Sequence, residues 1–130
     1  MTRMNFIRTL LCALSMSAIV TAACAQGFPS KTVRWMVPFP PGGATDALAR
    51  PITDRLSARW KVPVVIENKP GANTALGTDA VAKAPADGYT LLAASSGPVS
   101  IAPLLQKVPF DPEKDLAPVA LMGIAPFVLV

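Results

Sequence analysis

The sequence predicts an α/β fold, a mainly parallel sheet flanked by helices. Three observations carry this. Strand-like and helix-like patterns alternate along the chain from residue 33 onward. The first strand pattern, Val33 to Val37, is apolar on both faces apart from Arg34, as a sheet covered on both sides requires. Turn-forming loops leave the ends of the first three strand patterns, at Pro38–Gly43, Glu67–Asn73 and Ser95–Pro98.

Residues 1–25 read as a cleavable signal peptide. Arg3 and Arg8 form a basic start, Leu10 to Val20 is an apolar run, and Ala23-Cys24-Ala25 is a small-x-small cleavage site. The run is too short to span a bilayer, which takes ~20 residues. Thr21-Ala-Ala-Cys24 also approaches a lipoprotein box, with Thr where an aliphatic residue is usual. A lipid anchor at Cys24 is therefore the rival to release into the periplasm. Cys12 and Cys24 are the only cysteines. A mature chain starting at Gln26 would have no disulfide, thiol nucleophile or thiolate metal site.

The mature elements follow in order. Val33–Val37 is the first strand. The first helix is expected from Asp46 to Trp60, because Leu48, Ile52, Leu56 and Trp60 recur at i+4 as one buried stripe. Thr45 is its expected N-cap, and Asp46 suits the positive end of its dipole. Pro51 is an anomaly that removes one helical hydrogen bond. Pro63 opens a second strand, Val64–Ile66, and Glu67–Gly71 is expected to turn. A second helix is expected from Thr74 to Lys83, with Leu76, Ala80 and Ala84 spaced by four. Pro85-Ala-Asp-Gly88 breaks it. Thr90–Ala94 is the third strand, followed by a short helix at Ser100–Gln106 and a loop at Pro109–Asp115. Val119–Met122 and Phe127 onward are expected as the fourth and fifth strands. Trp35 and Trp60 are assigned to the core. The chain stops inside the apolar run Pro126–Val130, so residues 26–130 read as an N-terminal fragment.

Composition excludes several function classes. The chain has no histidine, so His-based acid–base catalysis, triads and His metal sites are ruled out. The formal net charge is +4, with 12 Lys/Arg and 8 Asp/Glu. Removing Arg3 and Arg8 lowers it to +2, and the remaining charges are scattered. No basic cluster supports nucleic-acid binding.

In open α/β sheets ligands bind outside the carboxyl ends of the strands. The loop Pro38-Phe-Pro-Pro-Gly-Gly43 carries no charged side chain and leads into a helix start. Helix-start N–H groups and the dipole there suit an anion, and Gly42 and Gly43 let it approach the backbone. Asn73, Ser95 and Ser96 add an amide and two hydroxyls at the same rim. Each has a plainer reading: a tight turn for the Gly loop, capping or left-handed turn geometry for Asn73, turn or capping roles for the serines.

Four motifs in order carry a family resemblance: Phe28-Pro-Ser-Lys31, Val37-Pro-Phe-Pro-Pro-Gly-Gly43 with Thr45-Asp46, Glu67-Asn-Lys-Pro-Gly-Ala72, and Asp87-Gly-Tyr-Thr-Leu91. Together they resemble the extracytoplasmic substrate-binding receptors of the tripartite tricarboxylate transporter family, also called Bug receptors. The resemblance runs from Phe28 to the end. It implies a type II periplasmic-binding-protein fold with two α/β lobes. This chain would hold only the first part of lobe 1. It further implies a non-enzymatic receptor, monomeric when full length, that takes up a small carboxylate and passes it to membrane transporter subunits. No cofactor is implied. The ligand role falls on Phe39, Pro40, Gly42, Gly43, Thr45, Asp46, Asn73, Ser95 and Ser96. For Asp46, an anion facing an anion, helix capping stands beside ligand contact. Where family members carry a run of glycines, this chain has Ala72-Asn73-Thr74.

Three other readings compete. A dinucleotide enzyme would use the Gly loop and Glu67, but the G-x-G-x-x-G spacing is missing. A serine hydrolase on Ser95 or Ser96 has no histidine base and no G-x-S-x-G elbow. The isolated fragment, with half a cleft, would bind nothing.

Overall fold

A computed structural model describes residues 27–124. The chain divides into two units, Met1–Ser30 and Lys31–Val130. Of the first unit only residues 27–30 are described, and the signal-peptide and Cys24 expectations lie outside them. The second unit holds the sheet. It contains β1 (Val33–Val37), α1 (Ala44–Trp60), β2 (Val64–Asn68), α2 (Ala75–Ala82) and β3 (Thr90–Leu92). A wide π-type turn, Gly97–Ile101, then leads into α3 (Ala102–Leu105).

The three strands form one parallel sheet in the order β2-β1-β3. β1 is central, and its alternate side chains Val33, Trp35 and Val37 are buried, as is Met36 on the opposite face. Trp35, Val37, Ala49 and Ala93 form the core, with Phe39, Ile52, Leu56, Ile66 and Leu91 packed against it. α2 packs against β1 and β3.

Several boundaries differ from expectation, each for a physical reason. β2 runs through Glu67 and Asn68, where a turn is expected, because the ladder to β1 continues to the pair Val37–Asn68. α1 starts at Ala44, and Gly43 rather than Thr45 is its N-cap, with no side-chain capping bond. Pro51 does not end the helix, which continues to Trp60. The buried face of α1 is Asp46, Ala49 and Thr53, not the i+4 stripe. Small side chains occupy the closest approach to the sheet, so Ile52 and Leu56 flank the contact and Leu48 is 46% exposed. α2 likewise buries Gly77 and Thr78 and leaves Leu76 outward. β3 ends at Leu92, two residues early, although the Ala93 N–H still donates to the Met36 carbonyl at 2.8 Å. The helical segment expected at Ser100 opens at Gly97 as a π-type turn, whose Ala102 N–H reaches the Gly97 carbonyl.

No strand forms at 119–122. That stretch has no described strand beside it, and a strand is stable only in a ladder. Met122 packs onto the core while Val119, Leu121 and Ile124 are exposed. The strand expected from Phe127 lies outside the described residues.

Candidate functional site

All three strands point the same way, so their carboxyl ends share one rim. Val37 pairs with Asn68, and Met36 with Leu92. The loops Pro38–Gly43, Lys69–Thr74 and Ala93–Ser96 therefore begin side by side. The chain steps from β1 to β2 on one side, then crosses to β3 on the other. That reversal lies between β1 and β3, where open α/β sheets place their ligand crevice.

A cavity of about 230 Å³ opens there, lined among others by Phe39, Asn73, Thr74, Ser95, Ile101 and Gln106. No charged side chain lines it. Its polar groups are a hydroxyl pair and two carboxamides, and its walls are apolar. One helix begins at its margin: α2 directly follows Thr74.

Of the residues expected at the site, Phe39, Asn73 and Ser95 line this cavity together. Pro40, Gly42 and Gly43 are exposed along the loop that leads to α1, Thr45 is half-buried in the first turn, and Ser96 is exposed just before the π-type turn. Thr74, Ile101 and Gln106 are cavity residues that the sequence did not single out. The spacing from Thr74 to Gln106 carries no motif. Only the folding of the π-type turn and α3 back over the second loop brings them together.

Asp46 sits beneath the first loop with only 1% of its surface exposed. It is the third helical residue after the Gly43 cap, and its carboxylate reaches back to accept the Gly42 N–H at 2.9 Å. An acidic side chain at that position serves the free N–H groups of a helix start. It also accepts from Arg50 Nε at 2.8 Å and from Asn68 Nδ2 at 3.0 Å. The Gly42 N–H, then the Asn68 amide and Arg50, hold the carboxyl below its usual range, against the upward push of burial. The structure thus makes Asp46 a tie from the first helical turn to the loop before it and turns its oxygens toward the protein's own donors.

The second loop has an uncommon backbone. Gly71, Ala72, Asn73 and Thr74 all have positive φ, at 128°, 46°, 51° and 74°. Asn73 therefore adopts left-handed turn geometry, and the N-cap of α2 is Thr74. The left-handed region disfavours side chains, most of all β-branched ones. A glycine run would adopt this path without strain. Thr74→Gly is thus expected to stabilise the fold by about 0.5–1 kcal/mol, the relief of left-handed strain less the added chain entropy. Chemical denaturation midpoints check this, and a fall in midpoint would contradict it.

Glu67, the acidic residue a dinucleotide site would need, accepts from Arg34 Nε and Nη2, each at 2.7 Å. Arg34 is the main reason its carboxyl stays below the usual range.

The chain is 40% identical to the protein BugT of Bordetella pertussis over 119 residues, covering 90% of this chain and 36% of that one. Its fold is similar to that of MatC from Rhodopseudomonas palustris, solved with bound malate. The TM-score is 0.63 at 38% identity, over 73% of this chain and 33% of that one. A second R. palustris protein, solved with adipate, matches at a TM-score of 0.50 and 44% identity, over 51% of this chain and 22% of that one. The chain spans about a third of the length of the relatives it matches. Its parallel sheet and helices are part of a periplasmic-binding-protein lobe. Residues 48–130, well over half of the chain, match the tripartite tricarboxylate transporter family receptor, and the chain belongs to that family.

Proposed function

We propose that this chain supplies the first-lobe half of an extracytoplasmic receptor for a small organic carboxylate. Residues 1–25 act as the secretory leader, and residues 26–130 form the N-terminal part of the binding lobe. The observation that carries the reading is the uncharged, polar-edged cavity at the β1–β3 reversal, with the start of α2 at its margin. Such a site takes a carboxylate through N–H groups, hydroxyls and bridging water, with no need of Arg or Lys. Phe39 supplies an apolar wall, Asn73 and Ser95 supply hydrogen bonds, and the Gly42–Gly43 backbone supplies close approach. Thr45, Pro40 and Ser96 shape the rim, and Asp46 acts through the loop above it. Malate in MatC and adipate in the second R. palustris structure support a di-acid as ligand.

The full-length protein would close over the ligand, then hand it to membrane transporter subunits. A thermal-shift panel of di- and tricarboxylates, aromatic acids and amino acids tests the reading. At least one small carboxylate is expected to raise Tm in a concentration-dependent way. A flat response to the whole panel would overturn it.

A further inference from the structure

We propose that Asn68, which does not line the cavity, is a positioning residue for it: its carboxamide latches the first loop onto Asp46. The inference rests on the carboxylate-receptor reading above. Asn68 is the last residue of β2 and pairs with Val37, the last residue of β1. From there its Nδ2 donates to the Phe39 carbonyl at 3.1 Å and to Asp46 Oδ1 at 3.0 Å. Both neighbours are acceptors, so the amide nitrogen, not its oxygen, must face them.

Pro38 and Phe39 are packed against α2 and the core, but the loop makes few hydrogen bonds of its own. Pro38, Pro40 and Pro41 have no N–H to give. Among the described residues, no backbone–backbone hydrogen bond involves residues 38–42. The polar ties on this stretch are Asn68 to the Phe39 carbonyl and the Gly42 N–H to Asp46. Asn68 engages both ends of that arrangement, since Asp46 receives both donors. Phe39 lines the cavity, so a change at Asn68 reaches the ligand through the loop.

The side-chain type is close to obligatory. Two hydrogens on one nitrogen must serve two acceptors at the end of a short side chain. Serine offers one hydrogen, glutamine is too long by a methylene, and an ionised aspartate offers none.

Asn68→Asp keeps the shape and inverts the chemistry. The new carboxyl would face Asp46, which is itself met by Arg50 from α1, while Glu67, held by Arg34, and Lys69 flank it in the chain. Two carboxylates at that distance raise one pKa of the pair, so a shared proton restores one of the two bonds, that to Asp46, at low pH. Calorimetric titration of full-length wild-type, Asn68→Ala and Asn68→Asp proteins with malate or adipate between pH 5 and 8 reads this. Asn68→Ala is expected to weaken binding about tenfold. Asn68→Asp should bind at least as weakly at pH 8 and recover in part as pH falls to 5. Equal affinity of Asn68→Asp and wild type across that range would overturn the latch.

Two readouts need no ligand and separate this inference from the receptor reading. Deuterium uptake of the peptide spanning residues 38–43 should rise in Asn68→Ala while that of β1 stays unchanged. In the wild type, the Asn68 side-chain amide protons should exchange slowly. Fast exchange of those protons would contradict the latch even if every variant failed to fold. A wild-type protein that binds no carboxylate but keeps a protected Asn68 amide would sink the receptor reading and leave the latch standing.

Discussion

Gly77→Ala is expected to cost the fold about 1–3 kcal/mol, the range for forcing extra atoms into a packed site. Helix propensity alone argues the reverse, since alanine is favoured over glycine inside a helix by about 0.5–1 kcal/mol. Packing decides the sign. A Cβ on Gly77 would lie 2.7 Å from the Lys69 carbonyl oxygen, 2.8 Å from Pro38 Cβ and 2.9 Å from Pro38 Cα. Two of these are backbone atoms and the third belongs to a rigid ring, so nothing there can swing aside. Either α2 moves away from the sheet or Pro38 moves with the loop behind it. The second course shifts Phe39, so ligand affinity should fall with stability. Denaturant midpoints and a ligand titration on the same variant check both effects. For stability alone, Gly42→Ala is the control for steric crowding. Its Cβ would meet nothing within 4 Å, and only the φ of 84° is unfavourable. An equally stable or more stable Gly77→Ala protein would show that α2 and the loop are not in this contact.

Asp46→Asn is expected to lower Tm by several degrees and to weaken carboxylate binding about tenfold or more. Four donor groups converge on Asp46: the Gly42 N–H, two nitrogens of Arg50 and the Asn68 amide. A carboxylate has two oxygens to meet them, while a carboxamide has one and turns a donor of its own toward the rest. The substitution keeps the volume, so a loss reports acceptor chemistry and not packing. The pH dependence has a definite sign. Folding lowers the Asp46 pKa, so the folded state holds that proton less tightly than the unfolded one. Its stabilisation is complete above the ordinary carboxylate pKa and fades as pH falls through the lowered value. The Tm gap between wild type and Asp46→Asn should therefore be widest near neutrality and narrow in acid. A gap that widened in acid would contradict the assignment.

The elements that were legible in the sequence are those fixed by local patterning. Val33–Val37 is bounded by a charged approach and by Pro38, and it appears with those same ends. The loop to the first helix was legible because Pro and Gly at those positions leave few alternatives. What was not legible depends on partners. The extension of β2 through Asn68 comes from its ladder with β1, which no local pattern encodes. The buried face of α1 follows the sheet it meets, and Ala49 and Thr53 win over larger neighbours because they allow the closer approach. Val119–Met122 has strand-forming residues but no described strand to pair with. At the site, the first loop, Asn73 and Ser95 could be named from position at strand ends. Gln106 and Ile101 could not, since they enter through the fold-back of the π-type turn. Asn68 falls in Glu67–Gly71, a stretch whose composition reads as a turn. Its signal was the register that sets it opposite Val37, visible only once the two strands are paired.

A crystal structure of the full-length protein with the carboxylate that raises its Tm most would show directly where that ligand sits. One carboxylate of the ligand is expected at the β1–β3 rim, between Phe39, Asn73 and Ser95. Its oxygens should accept hydrogen bonds from main-chain N–H groups of the first two loops, directly or through water, with no Arg or Lys of residues 31–124 in contact. A ligand carboxylate held by a basic side chain of this segment, or lodged away from that rim, would contradict it.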